Sequence, residues 1–399
     1  MTPFFRPTHA VIDLDALKHN YHEVVKKIPK QIGVLPMVKA DAYGHGAIPV
    51  AKTFASCGAV CLGVATVEEG IELREAGIKT KILVMGGLLG SGEEVAKAML
   101  QYCLTPVVHS AGVVDLLDAL AKKQGVQIVI HLKLDTGMSR LGITLQSLSN
   151  LLEKLKNATS LQLEGVMTHL AWRQNPEYTE YQTHLFEGMV DQVKEMLGPF
   201  PILHIANSAS VLSGEPIHFS KSFQYWVRPG IMLYGIPPYP EFAGRADLKP
   251  VLSLKSKIAL VKHVPSGTKI SYSCTFTTTR SSCIGLIPVG YADGYPWSAS
   301  NKGEVLVDGK RVKVLGRVTM DMILVDLTDL PEAKVGSDVV LLGGSTEAQI
   351  SADELAEWAG TIPYEIVCRL SKRIPRIYFF DSANPSDLLR GPPEADLDK

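Results

Sequence analysis

The sequence predicts an α/β fold: an N-terminal (β/α)8 TIM-type barrel followed by a mainly-β C-terminal domain. Two observations carry this. From residue 32 to about residue 235, eight short, continuous apolar runs alternate with stretches of helical period, the pattern of a parallel sheet whose strands are buried on both faces. Beyond about residue 245 the helical spacing gives way to strand-like runs separated by short Gly/Asp/Asn turns. The 399 residues, 46% of them hydrophobic, are enough for two cores.

The eight runs are IGVLPMVK (32–39), VCLGVAT (60–66), KILVMGG (81–87), LTPVVHS (104–110), VQIVIHLKLDT (126–136), LEGVMTHL (163–170), ILHIANS (202–208) and WVRPGIMLYG (226–235). Between them lie helical patterns such as 67–77, 112–125 and 184–197. Eight units in roughly 210 residues match a (β/α)8 barrel; a doubly wound open sheet is the alternative. In the second part the strand-like stretches are 251–264, 267–280, 283–295, 303–328 and 337–344. VDGKRV (307–312) carries an Asp-Gly hairpin signal. Ser351 and Glu354 have the spacing of a capping box and open a helix. The expected domains are 10–245 and 246–385, with residues 1–9 joining the second, and 386–399 as a disordered acidic tail.

Lys+Arg 40 against Asp+Glu 41 gives a net charge of −1. Nothing there favours nucleic acid or an anionic membrane as partner. The first twenty residues lack an apolar core for a secretory signal, and no stretch approaches the ~20 apolar residues of a membrane span. Six scattered cysteines without a CxxC fit reduced thiols in a cytoplasmic protein. Cys57 and Cys61 lack further ligands, so core packing is expected there and no metal. GGLLGSG (86–92) lacks the Lys-Ser/Thr of a phosphate-binding P-loop and reads as a plain loop.

In a barrel, chemistry gathers at the C-terminal ends of the strands. The first run ends on Lys39, with Asp41, Tyr43 and His45 directly after it. The fifth ends on Lys133 and Asp135, with Arg140 beyond. The sixth ends on Thr168 and His169, the seventh on Asn207 and Ser208, and the eighth holds Arg228, Pro229 and Gly230. Small residues with available N–H groups (Asn207, Ser208, Ala209, Gly230, Ile231) sit where the last two runs end. That is where barrels bind phosphate. A phosphate site beside a strand-end lysine suits pyridoxal 5′-phosphate (PLP), which a lysine holds as a Schiff base. Burial eases that lysine's deprotonation.

The motifs MVKADAYGHG, LKLDTGMSRLG, THL, ANSAS, RPGIMLYG, KISY, PVGYADG, VTMD and PYEIVCRLSKRIPR follow in one order. Together they resemble the PLP-dependent alanine racemase family from about residue 8 to about residue 380. The resemblance implies PLP as cofactor and L-/D-alanine as substrate, with D-alanine supplied for peptidoglycan. Lys39 is implied as the Schiff-base lysine and one of two acid–base groups, and Tyr272 as the other. Tyr43, Ser208, Gly230, Ile231 and Tyr364 match residues around the phosphate, beside Asn207. Arg228 matches the residue facing the pyridine nitrogen, and His169 its neighbour. Arg140 matches a group near the phenolic oxygen and the substrate carboxylate; Lys133 matches a lysine often carbamylated. Met320 matches a position whose N–H binds the substrate carboxylate. Tyr272 and Met320 come from the partner subunit in the family, which implies a homodimer with shared active sites.

Arginine keeps its proton. Opposite the ring nitrogen it leaves the pyridine neutral, which should restrain transamination and decarboxylation. Ser139 and Ser273 stand where glycine is frequent in the family, and Thr319 where cysteine is frequent. Ser273 and Thr319 bear on which amino acid is accepted, rather than on the reaction. A broad-specificity racemase of serine or basic amino acids is the second reading. A non-catalytic PLP carrier on the same barrel would need neither Tyr272 nor a β domain. A related decarboxylase would carry an acidic group in place of Arg228.

Overall fold

The computed structural model describes residues 5–88, 92–214, 222–345 and 348–380. Residues 386–399, expected to be a tail, and 89–91 of the glycine-rich loop lie outside the described residues. The chain divides into two compact units. One comprises residues 18–42 and 47–249; the other takes the residues up to Leu17, the short piece Tyr43–Gly46, and everything from Pro250 onward.

The first unit is the barrel. Its eight parallel strands are Gly33–Val34, Leu62–Val64, Ile82–Val84, Thr105–Val108, Ile128–Lys133, Leu161–Met167, Ile202–His204 and Gln224–Val227. In chain order the second to the eighth pair successively, and the eighth returns to the first, Gly33 opposite Trp226. The ring closes between the first and second strands. Met37 bridges Gly63, the Val38 N–H donates to Gly63 O at 2.8 Å, and the Gly63 N–H donates to Pro36 O at 2.9 Å. An open sheet would leave those edges unpaired. Helices fill the connections, among them Val67–Glu75, Ala111–Gln124, Leu145–Asn157 and Pro176–Leu197. The second, third and fourth strands are buried at every position, as strands covered on both faces must be.

The eighth run is shorter than its apolar length suggests. Its strand stops at Val227 and a 3-10 helix, Ile231–Tyr234, takes over. Pro229 and Gly230 break the ladder, and Gly235 closes the helix in the left-handed region at φ 82.

The other unit is mainly β. Its largest sheet sets His9–Asp13 between Leu252–Lys257, antiparallel, and Arg376–Phe379, parallel. The run 251–264 is two strands in two sheets, Leu252–Lys257 and Leu260–Val264. The Asp-Gly hairpin joins Glu304–Val307 to Lys310–Lys313, with both turn residues at positive φ (46 and 81). The Ser351–Glu354 capping box opens Ala352–Ala359 as expected.

Candidate active site

Lys39 follows the first barrel strand, and its backbone neighbourhood is unusual. Ala40, Asp41, Ala42 and Tyr43 all have φ between 52 and 55, a left-handed turn in which no residue is glycine. Such backbone costs about 1–2 kcal/mol per residue and persists where surrounding bonds over-determine it. Several such bonds are present. The Glu69 carboxylate accepts the Ala40 N–H at 2.7 Å and the Ala65 N–H at 2.6 Å. Asp41 Oδ1 accepts the Ala47 N–H at 2.7 Å. The buried Tyr234 hydroxyl donates to Met37 O at 2.8 Å.

In the other unit the chain continues through Tyr43–Gly46. A Cβ on Gly44 would lie 2.1 Å from Val367 O, so only glycine allows that approach. Tyr43 and Tyr364 face one another there, ring centroids 6.3 Å apart at 47°.

The remaining barrel strand ends bring Lys133, Arg140, His169 and Arg228 around Lys39. Burial pushes the Lys133 amine down to about 8, helped by the Arg228, Arg140 and Lys39 charges and opposed by Asp135. His169 is held well below its usual value, first by burial, then by Arg228, Lys133, Arg140 and Lys39. It is therefore neutral, and its Nδ1 accepts from Arg228 Nη2 at 3.3 Å. Arg228, 3% exposed, also donates to the carbonyls of Thr168 (2.7 Å), Ile205 (3.2 Å) and His204. Burial lowers it to about 9, which leaves it charged at neutral pH. Its fork is fixed by three carbonyls and one imidazole.

The residues expected around a phosphate form a second cluster. Asn207 Oδ1 accepts the Ser210 N–H at 3.1 Å and so caps the helix Ser208–Ser213. Ser208 Oγ accepts the Gly230 N–H at 2.8 Å, joining the seventh and eighth strand ends. Ile231 opens its 3-10 helix with no carbonyl one turn back to accept its N–H.

This cluster of cations suits an anion. The charges that act on Lys133 are those of Arg228, Arg140 and Lys39 and of one carboxylate, Asp135, whose Oδ1 already accepts the Gly137 and Ser139 N–H groups at 3.0 Å each. Among the described residues no carboxylate lies within ion-pair reach of Lys133, Arg140 or Arg228. Lys133, 6% exposed, is a buried amine with no carboxylate in ion-pair reach, which is costly when it is charged. A phosphate at the helix starts and a carboxylate beside Arg140 are the groups that fit. In the other unit Tyr272 and Met320 sit on exposed loops, 72% and 52% accessible.

Reading along the chain did not single out Glu69 or Tyr234. Glu69 was visible as the partner of Thr66 in a Thr-x-x-Glu capping box; nothing in its spacing announced the second task of holding the Lys39 turn.

Fold and site define a barrel enzyme with a cationic strand-end mouth built around a lysine, joined to a β-rich unit. The family models described as "Alanine racemase, N-terminal domain" and "Alanine racemase, C-terminal domain" match residues 12–238 and 251–378. The chain belongs to the alanine racemase family. An alanine racemase of Halothermothrix orenii is 43% identical over 375 residues, 94% of this chain and 97% of that one. One of Geobacter sulfurreducens is 42% identical over 387 residues, covering 96% and 98%. Among solved structures, alanine racemase from D-cycloserine-producing Streptomyces lavendulae superposes with TM-score 0.88 at 33% identity, covering 98% of this chain and 100% of that one. The Bacillus anthracis enzyme with bound L-Ala-P gives TM-score 0.86 at 36% identity, covering 96% and 97%. Within the described residues, no helix is long and apolar enough to cross a membrane.

Proposed function

We propose that the chain is a PLP-dependent racemase that interconverts L-alanine and D-alanine as a cytoplasmic homodimer, supplying D-alanine for peptidoglycan. The observation that carries the reading is the mouth in which Lys133, Arg140 and Arg228 gather at the strand ends beside Lys39, with no carboxylate in ion-pair reach of those three among the described residues.

PLP, when bound, supplies the electron sink that makes the α-hydrogen of an amino acid acidic. The chain's residues bind, orient and move protons. Lys39 carries the cofactor and acts as one acid–base group; Tyr272 from a second copy acts as the other, so that a proton leaves one face and returns to the opposite one. Tyr43, Asn207, Ser208, Gly230, Ile231 and Tyr364 hold the phosphate. Arg228 faces the ring nitrogen with its proton retained and His169 orients it. Arg140 and the Met320 N–H bind the substrate carboxylate. Lys133, its amine eased towards the neutral form, is the site for a carbamate beside Arg140, which would add the negative charge that the cluster lacks.

The test is incubation with PLP and separately with L-alanine, L-serine, L-lysine or L-arginine in deuterated buffer. The expected result is D-alanine carrying α-deuterium, well ahead of the other products. Comparable D-serine or D-lysine would replace this reading with a broad-specificity racemase. No D-product and no deuterium from any of the four would overturn racemisation altogether.

A further inference from the structure

The loops that carry Tyr272 and Met320 are cross-linked by side chains that hold no role in the reading above. We infer that Asn301 and Ser271 are positioning residues that lock these two loops into one rigid element, fixing the Tyr272 phenol relative to the Met320 N–H. This rests on the two-base reading and deepens it.

Both loops grow from one small core, Ile270, Ile284 and Leu315, with Phe276 and Leu324 against it. Ile270 pairs with Phe276 in a two-stranded ribbon, and the five residues between them turn on strained backbone. Ser271, Ser273 and Cys274 have φ of 61, 59 and 53. Left alone, such a turn would relax into several conformers, since left-handed backbone is unfavourable for every residue but glycine. Three contacts prevent that. The Ser271 hydroxyl donates to Arg317 O at 2.7 Å. Asn301 spans the two loops, its Oδ1 accepting the Gly316 N–H at 2.7 Å and its Nδ2 donating to Thr275 Oγ1 at 3.0 Å. A Cβ on Gly316 would lie 2.7 Å from Ser271 Cβ and 2.8 Å from Ile270 O, so the backbones touch directly.

The Met320 end is pinned in the same manner. Tyr291 and Ala292 donate their N–H groups to the Thr319 and Met320 carbonyls at 3.0 Å each, and Ser300 Oγ accepts the Val318 N–H at 2.9 Å. Asn301 itself has φ 60, a conformation asparagine tolerates better than most residues. One asparagine thus bridges the start of the Met320 loop and the end of the Tyr272 loop. An ordinary surface side chain would have no reason to satisfy both.

The decisive variant is Asn301→Gly, which keeps the left-handed backbone and deletes both side-chain bonds. Thr275→Val, which removes only the far one, is the companion should the first fail to fold. Because L- and D-alanine are equally stable, kcat/KM must fall by the same factor in both directions, here about 10- to 100-fold for a misplaced proton carrier. The deuterium isotope effect is the discriminating readout. It should rise for the α-deuterated enantiomer that Tyr272 deprotonates and fall for the one that Lys39 deprotonates, because the Lys39 step then becomes less limiting. In the PLP-free protein, amide hydrogen exchange should quicken in both 271–275 and 316–322. Unchanged rates and isotope effects in Asn301→Gly, beside a Tyr272→Phe variant that has lost racemisation, would overturn the positioning role alone. Wild-type racemisation by Tyr272→Phe would instead overturn the two-base reading on which it rests.

Discussion

Two polar clusters lie along the strands of the same barrel. At the strand ends Lys133, Arg140 and Arg228 gather beside Lys39 and a neutral His169, and Asp135 is the one carboxylate whose charge acts on Lys133. Further back along the strands, Lys81 donates to Glu164 Oε1, Glu164 Oε2 accepts from His131 Nε2 at 3.0 Å, and His131 Nδ1 meets His204 Nε2 at 2.8 Å. With His131 Nε2–H donating, its Nδ1 must be the acceptor and His204 the donor. Burial holds both histidines below their usual value. The second cluster is therefore one lysine, one carboxylate and two neutral rings, balanced within itself. The first is left with excess positive charge. Balance marks a cluster that serves the fold, and imbalance marks one that awaits something from outside.

The largest difference should appear in activity. Lys39→Ala should lower alanine racemisation at least ~1,000-fold, since in the proposed reading it deletes both the cofactor's attachment and one proton carrier. His131→Leu should change kcat by less than about tenfold, because its ring belongs to the balanced cluster. Steady-state assays of both variants decide it, and a His131 variant as dead as the Lys39 one would erase the distinction.

Stability should separate the clusters by sign. Lys133's folded value of about 8 lies below that of an unfolded lysine, so its charge opposes folding fully below pH 8 and ceases to matter above about 10.5. PLP-free Lys133→Met should therefore gain on the order of 3 kcal/mol at pH 7, the gain fading across that window. Glu164, lowered to about 2, first by the His131 bond, behaves oppositely. Its contribution is present above about pH 4.5 and is lost as pH falls towards 2. Glu164→Leu should cost about 2–3 kcal/mol at pH 7 and flatten the acid limb. Urea titrations at a series of pH values measure both, and two effects of the same sign would break the comparison.

The two clusters also differed in how visible they were beforehand. The mouth was legible because its residues terminate apolar runs, where polar groups at one rim stand out. His131, Glu164 and His204 lie inside strands, and their partners are 33 and 73 residues away; one sequence has no signal for which polar positions meet across a barrel. The strand expected over 226–235 ends early, at Val227, because Pro229 and Gly230 break the ladder inside the apolar run. The left-handed turn after Lys39 was hidden for a different reason. Ala40, Asp41, Ala42 and Tyr43 are not residues that ask for positive φ; the bonds from Glu69 and Asp41 impose it. Asn301 looked like any loop asparagine.

The smallest expected effect concerns backbone alone, and revises how two departures from the family pattern are understood. Ser139 and Ser273, standing where glycine is frequent, have φ of 54 and 59. Their serines thus bear first on strain. Thr319 is likewise engaged locally, its hydroxyl donating to Met322 O at 2.8 Å and accepting the Met322 N–H at 3.1 Å. Ser139→Gly should relieve about 1 kcal/mol of left-handed strain, less what glycine adds in unfolded-chain entropy. A net gain of a few tenths to 1 kcal/mol, with alanine-to-serine preference unchanged, is expected from thermal melts and the racemisation assay together. A shifted preference without a change in melting would place Ser139 on the substrate side. The Asp135 carboxylate, which accepts the Ser139 N–H at 3.0 Å, argues against that outcome, because it ties this residue to the loop through its backbone, which glycine retains.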